Sequence, residues 1–143
     1  MSGHPVLQLD LGNSRLKWRL IEGGTDPGGE TVLGRGACAP ADEAWLAQPA
    51  TVAAVQVASV ASEATEAALA RRVRDRFGVE PRFARTARRR GDLVNSYADP
   101  ARMGVDRWLA MVAARDRCRE RLCVVDAGSA LTIDLVAADG RHE

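Results

Sequence analysis

Two short segments, each placing an aspartate and a glycine between strand-like runs, most constrain how this chain can fold. The first is LQLDLGNSRLKW, from Leu7 to Trp18, and the second is VVDAGSALTIDLV, from Val124 to Val136. In both, an apolar run ends in an acid, a glycine-containing turn follows, and an apolar run resumes. Each segment therefore predicts a β-hairpin whose turn carries an acid, a glycine and short polar side chains.

The turn residues of both segments suit an anionic ligand that carries a cation. Gly12 and Gly128 have no Cβ, so the chain can turn tightly and its N–H groups can approach phosphate closely. Hydroxyl and amide donors, together with the single lysine, Lys17, can neutralise phosphate charge, whereas Asp10 and Asp126 suit Mg²⁺ or another hard cation. Two ordinary β-hairpins are the alternative, since such turns are common. The pair favours a nucleotide-phosphate site that is neither a Walker loop nor a GxGxxG dinucleotide motif.

Composition excludes several other classes of protein. The chain has 143 residues, 46% of them hydrophobic, and 20 basic against 19 acidic side chains, which gives no charge argument for nucleic acid or membranes. Cys38, Cys118 and Cys123 lack metal-ligand spacing and are expected to be buried thiols in a reducing compartment. Without a signal peptide or a membrane-length apolar run, a soluble cytoplasmic protein is expected. His4 and His142 lie near the termini and give little support for histidine catalysis.

The hydrophobic pattern predicts the element order β-β-β-α-β-α-β-α, in which the last β and α are followed by the two strands of the second hairpin. Strands are expected over residues 6–11, 15–21, 31–38, 51–58, 79–84, 122–126 and 131–137. Helices are expected over residues 42–47, 62–77 and 106–117. The first three strands should form an antiparallel meander.

Helix ends and buried faces also follow from the pattern. Ser62 is expected to cap the long helix and Gly78 to end it, while Asp42 is the candidate cap of the short helix. The side chains expected to face inward are Leu69, Val73 and Phe77 on the long helix, and Trp108, Leu109, Met111 and Val112 on the last. The basic segment 85–91 is expected to be a solvated loop, because no aromatic residues interleave its arginines for nucleic-acid stacking.

A third segment, GVDRWLA from Gly104 to Ala110, places an acid and an arginine at a predicted helix start. Backbone N–H groups and the helix dipole favour anions there. Arg107 can bind a phosphoryl group or a carboxylate with paired hydrogen bonds, and Asp106 can accept a proton from an attacking hydroxyl. The structural alternative is that Asp106 is an N-cap and Arg107 a solvated helix residue.

The segments LDLGNSRLKW, GVDRWLA and VVDAGSALTIDLV, in this order and spacing, resemble type III pantothenate kinases, the family that includes the Bvg accessory factors. The resemblance runs from about Val6 to Val136 and covers roughly the first half of a usual family member. It implies an α/β ribonuclease-H-like half-domain of the actin, sugar-kinase and heat-shock-ATPase superfamily, with a mixed sheet and flanking helices, over residues 1–118. Residues 119–143 would be the first hairpin of a second such domain, expected to be truncated.

The resemblance also implies an activity, which is ATP-dependent phosphorylation of pantothenate to 4′-phosphopantothenate, the first step of coenzyme A biosynthesis. It implies Mg²⁺ with ATP, a monovalent cation (K⁺ or NH₄⁺) and a homodimer. Asp106 would be the general base, Arg107 would stabilise the transferred group, Asp10 would lie near Mg²⁺ and Asp126 would bind the monovalent cation. The implied ATP contacts are Asp10, Leu11, Gly12, Asn13, Ser14, Arg15, Leu16, Lys17, Gly128 and Ser129. The implied pantothenate contacts are Tyr97, Gly104, Val105, Asp106 and Arg107.

Two departures from the family pattern limit what this chain is expected to do. Ser129 stands where the family has threonine, which keeps the hydroxyl and loses the methyl group. The family's G-G-x-I-x-P-G segment and a later threonine that contacts pantothenate do not occur, so weak binding and little or no turnover are expected. The alternatives are a kinase for another small alcohol, or a non-catalytic regulatory or nucleic-acid-binding accessory factor. For the latter the sequence support is Arg82, Arg85 and the run 88–90.

Overall fold

The structure, a computed structural model, describes residues 3–23, 29–48, 51–128 and 130–143. The chain divides into two compact units, Met1–Ala84 and Arg85–Glu143. Each unit has its own cluster of buried apolar side chains. No helix within the described ranges is long and apolar enough to cross a membrane.

The first unit is built on a five-stranded mixed sheet. Its strands are β1 (Val6–Leu11), β2 (Leu16–Glu22), β3 (Thr31–Cys38), β4 (Ala54–Ser59) and β5 (Arg82–Phe83), in the spatial order β3-β2-β1-β4-β5. Strands β1, β2 and β3 pair antiparallel, which confirms the predicted meander. Strand β4 pairs parallel with β1, and β5 pairs parallel with β4. Parallel neighbours need a crossover, and the one between β4 and β5 contains helix α1 (Glu63–Phe77).

One face of this sheet forms the core of the first unit. Because side chains alternate along a strand, Leu7, Leu9 and Leu11 all point to the same side and are buried. Helix α1 packs on that side through Leu69, Val73 and Phe77, the stripe predicted from the sequence. The Ser62 hydroxyl accepts a hydrogen bond from the Thr65 N–H, and Gly78 ends the helix at φ 68°. Both predicted caps are confirmed.

Four predictions for the first unit were wrong in detail. The short helix is a 3₁₀ turn over Ala44–Ala47, and Asp42 does not cap it; its carboxylate accepts the Ala39 N–H at 3.2 Å instead. Strand β4 begins at Ala54 and not at residue 51. Strand β5 has only two residues where six were expected, since Pro81 has no N–H to donate to the sheet.

The second unit contains two small antiparallel ladders and one long helix. Strands β6 (Arg89–Arg90) and β7 (Leu93–Val94) form a tight hairpin, so the prediction that all of segment 85–91 is loop was wrong. A 3₁₀ turn at Pro100–Arg102 precedes helix α2 (Val105–Arg117). Strands β8 (Leu122–Ala127) and β9 (Leu131–Val136) then form the predicted second hairpin.

Helix α2 packs against β8 and β9 to form the second core. The buried residues of this cluster are Leu93, Met103, Trp108, Met111, Val112 and Val136. Leu109, expected inside, is only half-buried, and Cys118 and Cys123, expected to be buried, are exposed. Because α2 packs against β8 and β9, it belongs to the second unit, which begins at Arg85. The domain boundary between residues 118 and 119 stays a prediction.

The other face of the β8–β9 ladder is apolar and open to solvent. Val125, Leu131 and Ile133 are 59%, 66% and 61% exposed. Val125 is paired with Ile133 and Ala127 with Leu131, so the exposed side chains adjoin one another on one face. An apolar strand surface of this kind tends to associate with other apolar surfaces.

A buried arginine ties the elements of the second unit together. Arg115 is 3% exposed, and its guanidinium donates to the Asp92 carboxylate at 2.7 Å. It also donates to the main-chain carbonyls of Arg119, Glu120 and Ala138. Hydrogen bonds from Arg115, and then from Arg119, lower the pKa of Asp92 to about 2 against burial, which acts in the opposite direction.

Candidate functional site

The turn between β1 and β2 carries the first set of predicted phosphate-binding residues. The Gly12 N–H donates to the Arg15 carbonyl at 2.8 Å and closes a four-residue turn. Leu11 and Leu16, paired across the ladder, are 1% and 0% exposed. Their side chains anchor the turn in the core, so only their backbone atoms can reach a ligand. The exposed residues at the tip are Asn13, Ser14 and Arg15.

Gly12 and Gly128 have different structural roles. Neither has a positive φ, so neither turn depends on a left-handed glycine. A Cβ at Gly12 would lie 3.2 Å from the Arg15 carbonyl oxygen, a close approach that favours glycine. A Cβ at Gly128 would meet its nearest neighbour at 3.9 Å, an ordinary contact. The expectation that both turns need glycine for tightness therefore holds at Gly12 alone.

Asp10 and Lys17 flank the first turn on the sheet face opposite the core. They are directly paired between β1 and β2, and both are exposed. Cross-strand partners lie about 5 Å apart at Cβ, so a carboxylate and an ammonium stand side by side at the turn. The same face carries the Gln8 amide, which donates to Gln56 at 2.7 Å. This face is therefore polar and suited to a solvated, charged ligand.

The second hairpin places Asp126 at the exposed end of β8. The Gly128 N–H donates to the Ala130 carbonyl at 3.1 Å, while Ser129 lies outside the described residues. Asp126 is paired with Thr132 on β9, so both side chains lie on the same face. The Thr132 hydroxyl is buried and has no hydrogen-bond partner within the described part of the chain. A buried polar atom of this kind calls for a ligand or water.

The acids of the two hairpins fit cations that are held partly by a ligand. Across the ranges that the structure describes, no three His, Cys, Asp or Glu side chains converge to hold a metal by themselves. Mg²⁺ in nucleotide sites is usually held by one or two carboxylates with phosphate oxygens and waters, so Asp10 alone fits that role. Asp126 and the Thr132 hydroxyl would supply two oxygens to a monovalent cation.

Helix α2 begins with a close contact between Gly104 and Asp106. Gly104 is the N-cap residue and contributes no side chain, while Asp106 lies inside the first turn. The Asp106 Oδ1 accepts the Arg107 N–H at 2.8 Å and so satisfies one donor of the helix end. A Cβ on Gly104 would lie 2.5 Å from that oxygen. The alternative that Asp106 is the N-cap was wrong, and its exposed carboxylate remains available to a ligand.

The Arg107 guanidinium is held by two partners within the second unit. Its Nε and Nη2 donate to the two oxygens of Asp134 at 3.1 and 2.5 Å, and its Nη1 donates to the Tyr97 hydroxyl at 3.0 Å. These hydrogen bonds lower the pKa of Asp134 against its burial and, with Asp134 as the largest cause, raise the pKa of Arg107. The alternative that Arg107 is a solvated helix residue was therefore wrong.

His142 completes the polar cluster around Arg107. It is 7% exposed, and its Nε2 lies 2.9 Å from Asp134 Oδ1. Its Nδ1 lies 2.8 Å from the Ser96 hydroxyl. The Tyr97 and His142 rings also pack together, with centroids 6.2 Å apart. The structure thus joins Tyr97 and Arg107, two of the predicted pantothenate contacts, to two buried residues that were not predicted.

Sequence comparison identifies the family of this chain. The profile described as type III pantothenate kinase matches residues 6–143. The chain belongs to the type III pantothenate kinase family. The resemblance carried by the three sequence segments is thereby confirmed.

Curated relatives named type III pantothenate kinase include proteins of Pseudomonas paraeruginosa, 40% identical over 142 residues, and Hahella chejuensis, 41% identical over 139 residues. Each alignment covers 96% of this chain and 55% of the relative. The chain therefore spans about half the length of these type III pantothenate kinases. Among solved structures, a member of the Ppx/GppA family from Aquifex aeolicus aligns with 98% of this chain and 49% of its own at 9% identity and a TM-score of 0.46.

Asp134 and His142, the two residues of the Arg107 cluster that were not predicted, differ in how visible they were in the sequence. Asp134 and Val136 both lie on the inward face of β9. An acid at a position expected to be buried could therefore have indicated a functional residue. His142 follows the last strand and carries no periodic pattern. Of the predicted contacts, Val105 is 6% exposed and, like Gly104, can offer a ligand its backbone only.

Proposed function

We propose that this chain takes part in ATP-dependent phosphorylation of pantothenate to 4′-phosphopantothenate, the first step of coenzyme A biosynthesis. The observation that carries the proposal is the start of helix α2. There, an exposed carboxylate on Asp106 adjoins the Arg107 guanidinium, which Asp134 and Tyr97 hold. A base beside an oriented cation is what phosphoryl transfer to a hydroxyl requires. Membership of the type III pantothenate kinase family supports pantothenate as the substrate.

On the nucleotide side, the β1–β2 turn would bind the phosphates of ATP. The exposed Asn13 and Ser14 side chains are hydrogen-bond donors, and Lys17 supplies a positive charge beside them. The further ATP contacts proposed are Asp10, Leu11, Gly12, Arg15, Leu16, Gly128 and Ser129. Mg²⁺, when bound beside Asp10, would neutralise charge on the transferring phosphate. K⁺ or NH₄⁺ would bind at Asp126.

On the pantothenate side, Tyr97 and residues 104–107 would line the pocket. Asp106 would accept the proton of the 4′-hydroxyl of pantothenate. The hydroxyl oxygen would bond to the γ-phosphorus of ATP as the bond to ADP breaks and ADP leaves. Arg107 has five N–H donors, and the three hydrogen bonds given above leave two for an anionic group. Those two would stabilise charge in the transition state.

The architecture proposed for the whole protein is ribonuclease-H-like. The sheet order of the first unit supports it, since an antiparallel meander is extended by parallel strands through a helix. Strands β8 and β9 would be the opening hairpin of a second such domain. A cytoplasmic homodimer is proposed from the family alone.

A coupled assay of ADP release tests the catalytic proposal, with the Pseudomonas paraeruginosa relative as the positive control. ADP release from the chain should be slow, because the family's later segments do not occur in it, but it should require pantothenate. Asp106→Asn should lower the rate roughly 100-fold with little change in ATP affinity. Asp116→Asn, on the exposed side of the same helix, is the matched control and should keep kcat. Equal turnover in the Asp106 variant would remove that residue from its role. No pantothenate-dependent release from the chain would refute catalysis by this segment.

The nucleic-acid-binding alternative gains no specific support from the basic segment. Arg88 donates to the main-chain carbonyls of Tyr97 and Ala98 and so has a structural role. Arg89 and Arg90 lie in the β6–β7 hairpin, and no stacking aromatic alternates with them.

A further inference from the structure

A connected series of hydrogen bonds leads through the interior of the second unit to Arg107. From the surface inward it joins the Ser96 hydroxyl to His142 Nδ1 at 2.8 Å, and His142 Nε2 to Asp134 at 2.9 Å. Asp134 then accepts two hydrogen bonds from Arg107. Asp134 and His142 are 2% and 7% exposed, so both are removed from water. Buried polar groups of this kind restrict geometry strongly, because an unmet hydrogen bond there is costly.

The position of His142 is set by its backbone. The His142 N–H donates to the Val94 carbonyl, and the Val94 N–H donates to the Gly140 carbonyl, both at 2.9 Å. On the other side, the Glu143 N–H donates to the Leu135 carbonyl at 2.9 Å. Residues 140–143 are therefore fixed between β7 and β9 whatever the side chain at position 142. A substitution there tests the imidazole and leaves these main-chain bonds in place.

The direction of each hydrogen bond follows from the chemistry of Asp134. Its pKa is lowered, so it is ionised and can only accept. His142 Nε2 must therefore carry a hydrogen, and in the neutral ring Nδ1 accepts from the Ser96 hydroxyl. His142 and Arg107 share Oδ1 of Asp134, while Oδ2 receives Arg107 Nε. The imidazole thus fixes the carboxylate, and the carboxylate fixes the guanidinium plane.

We propose that His142 is a positioning residue, which acts through Asp134 to aim the two remaining N–H donors of Arg107 at an anionic group of the substrate. The identity of the substrate rests on the proposed function, whereas the orientation of Arg107 does not. The anion is either the carboxylate of pantothenate or the phosphoryl group in transfer, both of which match the fork of a guanidinium.

The Nε–H proton of Arg107 reports its orientation directly in a nitrogen–proton NMR spectrum, because it is hydrogen-bonded to Asp134. His142→Leu should speed its exchange with water roughly fivefold or more, the factor expected for loss of one hydrogen bond. His142→Gln can still donate to Asp134 and should restore slow exchange. His4→Leu, at an exposed histidine, is the matched control. Arg115, whose Nε is bonded to Asp92, is the internal control and should not change.

An unchanged Arg107 signal in the leucine variant would overturn the proposal. If that variant does not fold, His142→Asn decides the question, because it is polar and too short to reach Asp134. It should show the same fast exchange, and slow exchange would refute the positioning role.

A pantothenate titration by NMR separates this proposal from the proposed function. The dissociation constant should rise about tenfold in the leucine variant and return in the glutamine variant. Equal affinity of the leucine variant and the unaltered chain for pantothenate would overturn the effect on substrate binding. If the unaltered chain binds no pantothenate, the proposed substrate fails, and the exchange rates still decide whether His142 orients Arg107. Protection of the Arg107 Nη–H protons by inorganic phosphate and not by pantothenate would support positioning and assign the anion to the phosphoryl group.

Discussion

Gly104 illustrates how a missing side chain shapes the proposed site. Its hydrogen leaves room for Asp106 Oδ1, which a Cβ would approach to 2.5 Å. The carboxylate can then fold back onto the Arg107 N–H at the helix start. The sequence predicted the GVDR segment as a helix start, whereas the contact between Gly104 and Asp106 was not predicted and the N-cap is Gly104.

Replacing Gly104 by alanine should displace the Asp106 carboxylate and destabilise the start of helix α2. We expect a loss of about 1 kcal/mol, the usual value for one hydrogen bond or a poor N-cap residue. Amide hydrogen exchange at Arg107 measures it, with roughly fivefold faster exchange expected. Gly128→Ala, whose Cβ would meet only an ordinary contact, should leave that amide unaffected. Equal exchange in both variants would show that Gly104 makes no room for the Asp106 carboxylate.

Gly140 and Gly91 allow a paired test of backbone strain. Both have positive φ, at 92° and 60°, but a Cβ on Gly140 would collide with the Asp92 backbone while one on Gly91 would meet open space. Gly91→Ala should cost about 1 kcal/mol from its left-handed backbone alone. Gly140→Ala should cost roughly 1–3 kcal/mol more. Urea unfolding followed by circular dichroism compares them, and equal losses would argue against the close approach.

At the scale of elements, helix α1 is defined by local signals at both ends. Ser62→Ala should destabilise it by about 1 kcal/mol, since the hydroxyl accepts the Thr65 N–H. Ser62→Asp keeps an acceptor and should restore most of the stability. Thermal unfolding measures both variants. An alanine variant as stable as the parent would show that the cap contributes nothing.

The link between the β6–β7 turn and helix α2 should make stability depend on pH. The folded pKa of Asp92 is about 2 against an ordinary 3.8, so its contribution is complete above about pH 4 and is lost as pH falls towards 2. Asp92→Asn should therefore show a shallower fall in unfolding free energy between about pH 4 and 2. Urea titrations at several pH values test this, with Asp116→Asn as control. Parallel curves for the Asp92 variant and the parent would contradict it.

The elements that were predicted correctly depend on contacts close in sequence. The β1–β2 hairpin, helix α1 and the β8–β9 hairpin follow from alternation, caps and turn residues. The β6–β7 hairpin has two-residue strands, too short for any periodic pattern. The Ser96–His142 hydrogen bond joins residues 46 apart, and the Arg107–Asp134 bond joins residues 27 apart. Pairings at such separations leave no local pattern in the sequence. For that reason Asp134 and His142 were not predicted as members of the Arg107 cluster.

At the scale of the whole molecule, the solvent-exposed apolar face of the β8–β9 ladder should promote self-association in solution. Leu131→Thr with Ile133→Thr keeps β-propensity while removing much of the exposed apolar area. We expect weaker fluorescence of a hydrophobic dye and less self-association by light scattering. Unchanged dye binding would show that another surface is responsible.

The most direct test of the two proposed binding segments is a nitrogen–proton NMR titration of this chain with Mg-ATP and with pantothenate, each added separately. We expect Mg-ATP to shift the amides of Gly12, Asn13 and Ser14 first. Pantothenate should instead shift the amides of Tyr97, Gly104 and Arg107. Shifts confined to other residues, or no shift with either ligand, would contradict the assignment of these two segments to nucleotide and pantothenate.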